Sequence, residues 1–174
     1  LSTELSDLRN YVMSRCLWKP GRDSWQEAME FCRLHYAESA QPIIDYLTYY
    51  HNLIDKENLH PLLFSTEASL FLNPETVKQI DKYFTNALTL AKSEEIRNRV
   101  EKASLCVYRA KLSVSTMEMK YANGFCKPSL NGEDENLLER YAELCTKYEV
   151  SRESEYTKNE DYLNNMRKIY AGIK

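Results

Sequence analysis

Ser93-Glu94-Glu95-Ile96-Arg97-Asn98-Arg99-Val100-Glu101-Lys102-Ala103-Ser104-Leu105-Cys106-Val107-Tyr108-Arg109-Ala110-Lys111-Leu112-Ser113-Val114 decides the fold. Its apolar series Ile96, Val100, Ala103, Val107, Ala110, Val114 continues into Met117 and Tyr121. An alternation of fours and threes is the period of one helix face. Leu105, Leu112 and Met119 form a second line on another face. A helix apolar on two faces belongs between neighbours in a bundle. Ser93 is placed to cap the first turn, and Glu94 and Glu95 sit at the positive end of the helix dipole. Asn123-Gly124 is a fitting C-terminal stop. The spacing therefore predicts a long helix over 93–123, at the centre of an all-α helical bundle of about seven helices.

The rest of the chain reads outward from that helix. Before it, Asn73-Pro74 is a strong start, a cap followed by proline at the first position. Val77, Ile80, Phe84, Ala87 and Ala91 follow as one stripe. Residues 57–71 are irregular, with Pro61 as a break, and read as a loop with room for a short helix. Ile43, Leu47, Tyr50 and Ile54 mark a helix with Ser39 as its N-cap and Pro42 in its first turn, where amides lack helical partners anyway. Residues 24–36 form a helix burying Trp25, Ala28, Phe31 and Cys32, with Asp23 as its cap and Gln26 completing a capping box. The first helix spans 3–16 on the stripe Leu1, Leu5, Leu8, Val12, Cys16, and Pro20 ends it. On the other side, 125–132 is a loop. A helix over 133–148 follows, with Leu137, Tyr141, Leu144 and Tyr148. The stretch 150–157 is polar and suited to extended backbone. A last helix runs from 159 on Tyr162, Met166, Ile169 and Ile173.

Hydrophobic residues make up 43% of the 174 and charged residues 28%, a balance that sustains a packed core. The formal net charge is -3, with basic residues scattered among acids. This argues against a nucleic-acid or anionic-membrane surface, which needs clustered Lys and Arg. No apolar run approaches the roughly 18 residues that span a bilayer. No signal peptide is visible, and the start at Leu1 rather than Met suggests a processed piece. The five cysteines, Cys16, Cys32, Cys106, Cys126 and Cys145, form no Cys-x-x-Cys pair. Burial as small hydrophobes is the favoured reading over zinc or a disulfide framework, and one disulfide stays open.

A search for chemistry finds little. There is no nucleophile elbow, no glycine-rich phosphate loop, no His-Glu-x-x-His and no Glu-x-x-His. His35, His51 and His60 have no triad pattern around them. The acids Glu38, Asp45, Glu133, Asp134 and Glu135 read as dipole-favourable or solvated positions rather than a glycosidase pair. No catalytic residue, metal or cofactor is assigned. The aromatic run Tyr46-Leu47-Thr48-Tyr49-Tyr50-His51 is dense. Helical geometry brings Tyr46, Tyr49 and Tyr50 together as candidate contacts for carbohydrate or a partner. Packing at a helix crossing is the favoured reading of the same three residues, and of Trp18 as a plug between the first two helices.

One pattern is more specific. It runs Leu8-Arg9-Asn10-Tyr11-Val12-Met13-Ser14-Arg15-Cys16-Leu17-Trp18-Lys19-Pro20, then Asp23, Glu30-Phe31, His35-Tyr36-Ala37-Glu38-Ser39-Ala40, Ile43, Tyr46-Leu47 and His51. In order and spacing it resembles the end of the barrel region in a large bacterial family catalogued as domain of unknown function 4838. Those proteins look like glycoside hydrolases of the hexosaminidase and glucuronidase type. The family favours Asp where Lys19 stands, Tyr where His35 stands and Gly where Ala37 stands. The Asn73-Pro74 helix, the stretch 97–111 and Tyr148-Glu149-Val150-Ser151-Arg152 are looser matches.

The length of 174 residues suits one helical domain over 1–174, and the resemblance divides it. Residues 1–56 would close a barrel region and begin the helices after it, and 73–174 would form a C-terminal bundle. Acids of such enzymes lie at the C-terminal ends of barrel strands, upstream of this pattern. The implied role is a non-catalytic region that buttresses a barrel of the same polypeptide, its principal partner, with an apolar patch where the barrel docks. Trp18 and Tyr36 would be junction plugs and Asp23 a cap. A secreted or periplasmic location follows from the resemblance alone. The alternatives are a stand-alone helical interaction module and an accessory carbohydrate-binding surface on Tyr46, Tyr49 and Tyr50.

Overall fold

The computed structural model describes residues 5–60, 72–117, 120–122, 125–127, 136–153 and 157–170. The protein is all-α. Its helices are α1 (Ser6–Trp18), α2 (Ser24–Tyr36), α3 (Ala40–Lys56), α4 (Pro74–Leu90), α5 (Glu94–Met117), α6 (Leu137–Lys147) and α7 (Asn159–Tyr170). Each packs on the next in chain order, and α5 also reaches back to α2. Residues 61–71 and 133–135, expected as a loop and as the opening of the sixth helix, lie outside the described residues, as do Leu1 and Ile173.

Three helix starts follow from cap chemistry. Asp23 Oδ1 accepts from the amides of Trp25 (2.8 Å) and Gln26 (3.2 Å). The Asn73 side chain accepts from the Thr76 amide at 2.9 Å, with Pro74 at the first position. Ser93 Oγ accepts from the Ile96 amide at 3.1 Å. Each satisfies an amide that the first turn leaves without a helical partner.

The two faces of α5 enter different cores. Ile96, Val100, Ala103 and Val107 join a main core with Cys32, Tyr36, Ile43, Tyr46, Ile80, Phe84 and Ala87 from α2, α3 and α4. Leu112 joins a second core with Leu138, Tyr141, Cys145, Leu163 and Met166 of α6 and α7. Ala110 and Val114 pack with Val77 between them. Burying a Val, Leu or Phe side chain of this kind contributes about 1.5–3 kcal/mol, so α5 is the element both halves share.

The end of α5 differs from expectation. The helix stops at Met117, and Lys120–Ala122 (β1) pairs antiparallel with Phe125–Lys127 (β2) in the register Tyr121↔Cys126. Asn-Gly between two short runs is a hairpin signal as much as a helix stop. Two β-branched residues, Val114 and Thr116, with Ser115 between them, weaken the last turns of the helix. The polar stretch after α6 carries one antiparallel bridge, Arg152↔Lys158.

The join between α2 and α3 also differs. Ser39 stands at the N-cap position of α3, as expected, but its side chain makes no cap hydrogen bond. A single 3-10 turn, Ala37–Ser39, leads straight into that helix. Ser39 is fully buried and its hydroxyl instead donates to the Ala87 carbonyl at 2.7 Å, in the last turn of α4. Glu38 Oε1 accepts from the Lys92 amide at 2.7 Å, just before α5. That amide bond holds the Glu38 carboxyl below its ordinary value. Arg99 Nη1 donates to the His35 carbonyl at 2.9 Å. The turn thus satisfies backbone groups at the α4–α5 corner and is itself gripped by α5.

Ala37 takes φ 46° and ψ −116° to make this turn. That backbone favours glycine, and an L side chain there costs of order 1–3 kcal/mol. Ala37→Gly is expected to raise stability by about 1 kcal/mol, read as a higher denaturation midpoint. A lower midpoint would mean the strain is not there.

Candidate functional site

The helix α1 buries only one side. Leu8, Tyr11 and Val12 face α2, and Tyr11 lies 5.3 Å from the Phe31 ring. Outward stand Met13 (54% exposed), Leu17 (78%) and Trp18 (92%). Met13 and Leu17 are one turn apart on one side of the helix, and Trp18 stands open at its end. Trp18 is therefore not a plug between α1 and α2. The helix continues two residues past Cys16, with the Lys19 amide bonded to the Arg15 carbonyl at 3.2 Å. Trp18, seven residues after Tyr11, is the last residue of the helix and stays open to solvent there. Lys19 is then extended, as the residue before a proline prefers, and Gly21 turns the chain with φ 89°.

An ion-pair cluster ties the end of α1 to α2. Glu27, in the first turn of α2, is 5% exposed. Its Oε2 accepts from Arg15 Nε at 2.9 Å, and its Oε1 from Arg22 Nη1. Arg15, then Arg22, holds the Glu27 carboxyl below the ordinary 4.5. Arg15 also pairs with Glu30 at 3.6 Å, and Tyr11 donates to Glu30 at 3.3 Å. The end of α1, the Pro20-Gly21 turn and the start of α2 are tied to one carboxylate. Sequence reading missed Glu27. The available signal was the pair Arg15 and Arg22 flanking a turn short enough to bring both to α2. Trp25 is also less buried than expected: it stands 36% exposed, edge-on to the His51 ring at 5.1 Å. The N-cap at Asp23 sets the first turn of α2 at the rim of the core.

Of the three tyrosines, Tyr46 and Tyr50 share a ring contact and Tyr49 packs on Tyr83. Tyr46 is enclosed, 5.0 Å from Phe84 and 6.3 Å from Tyr50. Tyr49 is half-buried against Tyr83 at 5.9 Å. No open face of Tyr46 remains for a sugar, while Tyr49 and Tyr50 keep part of their surface.

Other reactive groups are dispersed. His35, His51 and His60 lie on α2, on α3 and after α3. Among the described residues no group of three or more His, Cys, Asp and Glu is placed to hold a metal ion. Cys16, Cys32, Cys106 and Cys145 are free thiols. Burial pushes the Cys32 thiol up to about 12, far from a reactive thiolate. Asp45 accepts from Gln41 at 2.8 Å and Glu38 is committed to Lys92. Glu133, Asp134, Glu135 and the Cys126 side chain lie outside the described residues. No helix is long and apolar enough to cross a membrane among those described. Compared with protein-family models, curated proteins and solved structures, the chain matches none.

The Glu27 cluster gives a pH signature. A carboxylate whose folded pKa is depressed contributes stability that is complete above the unfolded value and lost as pH falls through the folded one. Glu27→Gln is therefore expected to lower the denaturation midpoint at pH 7. The gap from the parent chain should close as pH drops below about 4.5. A gap unchanged between pH 7 and pH 3 would rule out the ion pairs as its source.

Proposed function

We propose that this chain is a non-catalytic helical C-terminal region of a larger bacterial, glycoside-hydrolase-like, carbohydrate-processing protein. In that role it buttresses a catalytic barrel lying upstream in the same polypeptide. The observation that carries this reading is the apolar surface that α1 leaves open, Met13 and Leu17 on one side and Trp18 at its end. A helix apolar on both sides is normally covered on both. This face also lies within the stretch that resembles the end of a barrel region.

Two further features support the resemblance. Ala37 has a glycine-favouring backbone at the position where the family has Gly. Asp23 caps α2 and Tyr36 is 3% exposed, the structural roles assigned to both. Hydrolysis then belongs to acids upstream, and this chain supplies none. The tyrosine cluster is the weaker candidate surface, because Tyr46 is spent on the core.

The size of the newly made polypeptide tests this. Pulse-labelling of source cells followed by immunoprecipitation should give a product far above 20.5 kDa. A nascent product of that mass would leave no room for a barrel and favour the stand-alone module. Within the larger protein, Trp18→Arg should lower the thermal midpoint. In the isolated chain the same change should shift stability by no more than about 0.5 kcal/mol, as for other open surface sites.

A further inference from the structure

His35 sits where three helices meet. It occupies the last turn of α2, half-buried. Its ring stacks on Phe31 at 4.7 Å and meets the Tyr36 ring edge-on at 4.8 Å. Its carbonyl holds Arg99 of α5 at 2.9 Å. Four charged groups act on the ring's charge: Arg99, Lys102 and Glu95 from α5 and Asp7 from α1. They already pair among themselves. Lys102 Nζ lies 2.9 Å from Asp7 Oδ2, and Arg99 pairs with Glu95. Two cations and two anions balance, so a neutral imidazole completes a neutral seam. A protonated one adds an unmatched cation beside Arg99 and Lys102.

We propose that His35 is a proton-operated latch between the α1–α2 pair and α5. Neutral, it rests on Phe31 and lets Arg99 and Lys102 keep their partners. Protonated, it repels both, and the α2–α5 contact loosens. Burial first, then Arg99, disfavours the charged form and holds the ring below its ordinary 6.5. The unfolded chain then binds the proton more readily than the folded one, so stability is complete above about pH 6.5 and falls as pH drops through that range. The latch stands independently of any barrel partner.

The test is an NMR titration of the His35 ring in the whole chain, with denaturation midpoints at pH 7.5 and pH 5. The ring is expected to titrate below about 6.5, and the midpoint should fall at pH 5. Lys102→Gln, a change at a partly exposed site, should move the His35 titration upward and shrink the acid loss. His35→Gln should shrink it further. Amide protection around 33–36, corrected for intrinsic exchange, should fall more at pH 5 than protection in α6 and α7. A His35 titration at or above 6.5, as a cation resting on the Phe31 ring would give, overturns the latch. So does an acid loss of the same size in the parent chain and both variants.

Discussion

The hydroxyl of Ser39 donating to the Ala87 carbonyl, with the Glu38 carboxylate taking the Lys92 amide, holds the corner on which the bundle turns. Helix ends leave carbonyls and amides without helical partners, and a buried one left unpaired costs about 1–3 kcal/mol. The α4–α5 corner is closed from outside by one turn of three residues between α2 and α3. That turn is possible only because Ala37 accepts a backbone most residues avoid. Just before the turn, the His35 carbonyl at the end of α2 accepts from Arg99. Local strain at one residue is thus exchanged for satisfied backbone groups on two neighbouring helices.

With that corner fixed, α5 is held against α2 and α4 on one side and is free to receive α6 on the other. Its second face then gathers Leu138, Tyr141 and Leu163 around Leu112. The polar seams follow the same logic. Arg109 binds Glu153 through Nε (3.0 Å) and Nη2 (2.8 Å) and lies over the Tyr162 ring, tying the stretch before α7 to α5. Lys147 and Tyr148 converge on Glu101 at the α5–α6 edge; burial pushes that carboxyl up, and their hydrogen bonds with the charges of Lys147 and Arg140 together hold it below its ordinary value.

Sequence made the bundle legible where period and caps agree. The stripes of α4 and α5 are buried residue for residue from Val77 to Ala91 and from Ile96 to Val114, and Asp23, Asn73 and Ser93 cap as their spacing predicts. It failed where a side chain's partner is far along the chain. Ser39 carries a cap signal, but its hydroxyl is claimed 48 residues away. Trp18 reads as a plug in the turn between the first two helices, yet the helix runs on to it and leaves it open at its end. Glu27 looks like a first-turn acid, and only the folded turn brings Arg15 and Arg22 to it. The candidate surface on α1 was legible as apolar content, not as exposure, because which side a helix buries depends on where its neighbour starts.

The most direct measurement is the stability of Ser39→Ala against Ser39→Cys and the parent chain. Both variants keep a small side chain at a fully buried site, so packing changes little. If the corner depends on the donated hydrogen bond, Ala should cost about 1–3 kcal/mol, and Cys, a weak donor, should recover part of it. The amides of Lys92 and of the first turn of α5 should lose protection together in Ser39→Ala. A loss under about 0.5 kcal/mol, with that protection unchanged, would contradict the account and move the organising contact to the apolar faces of α5 alone.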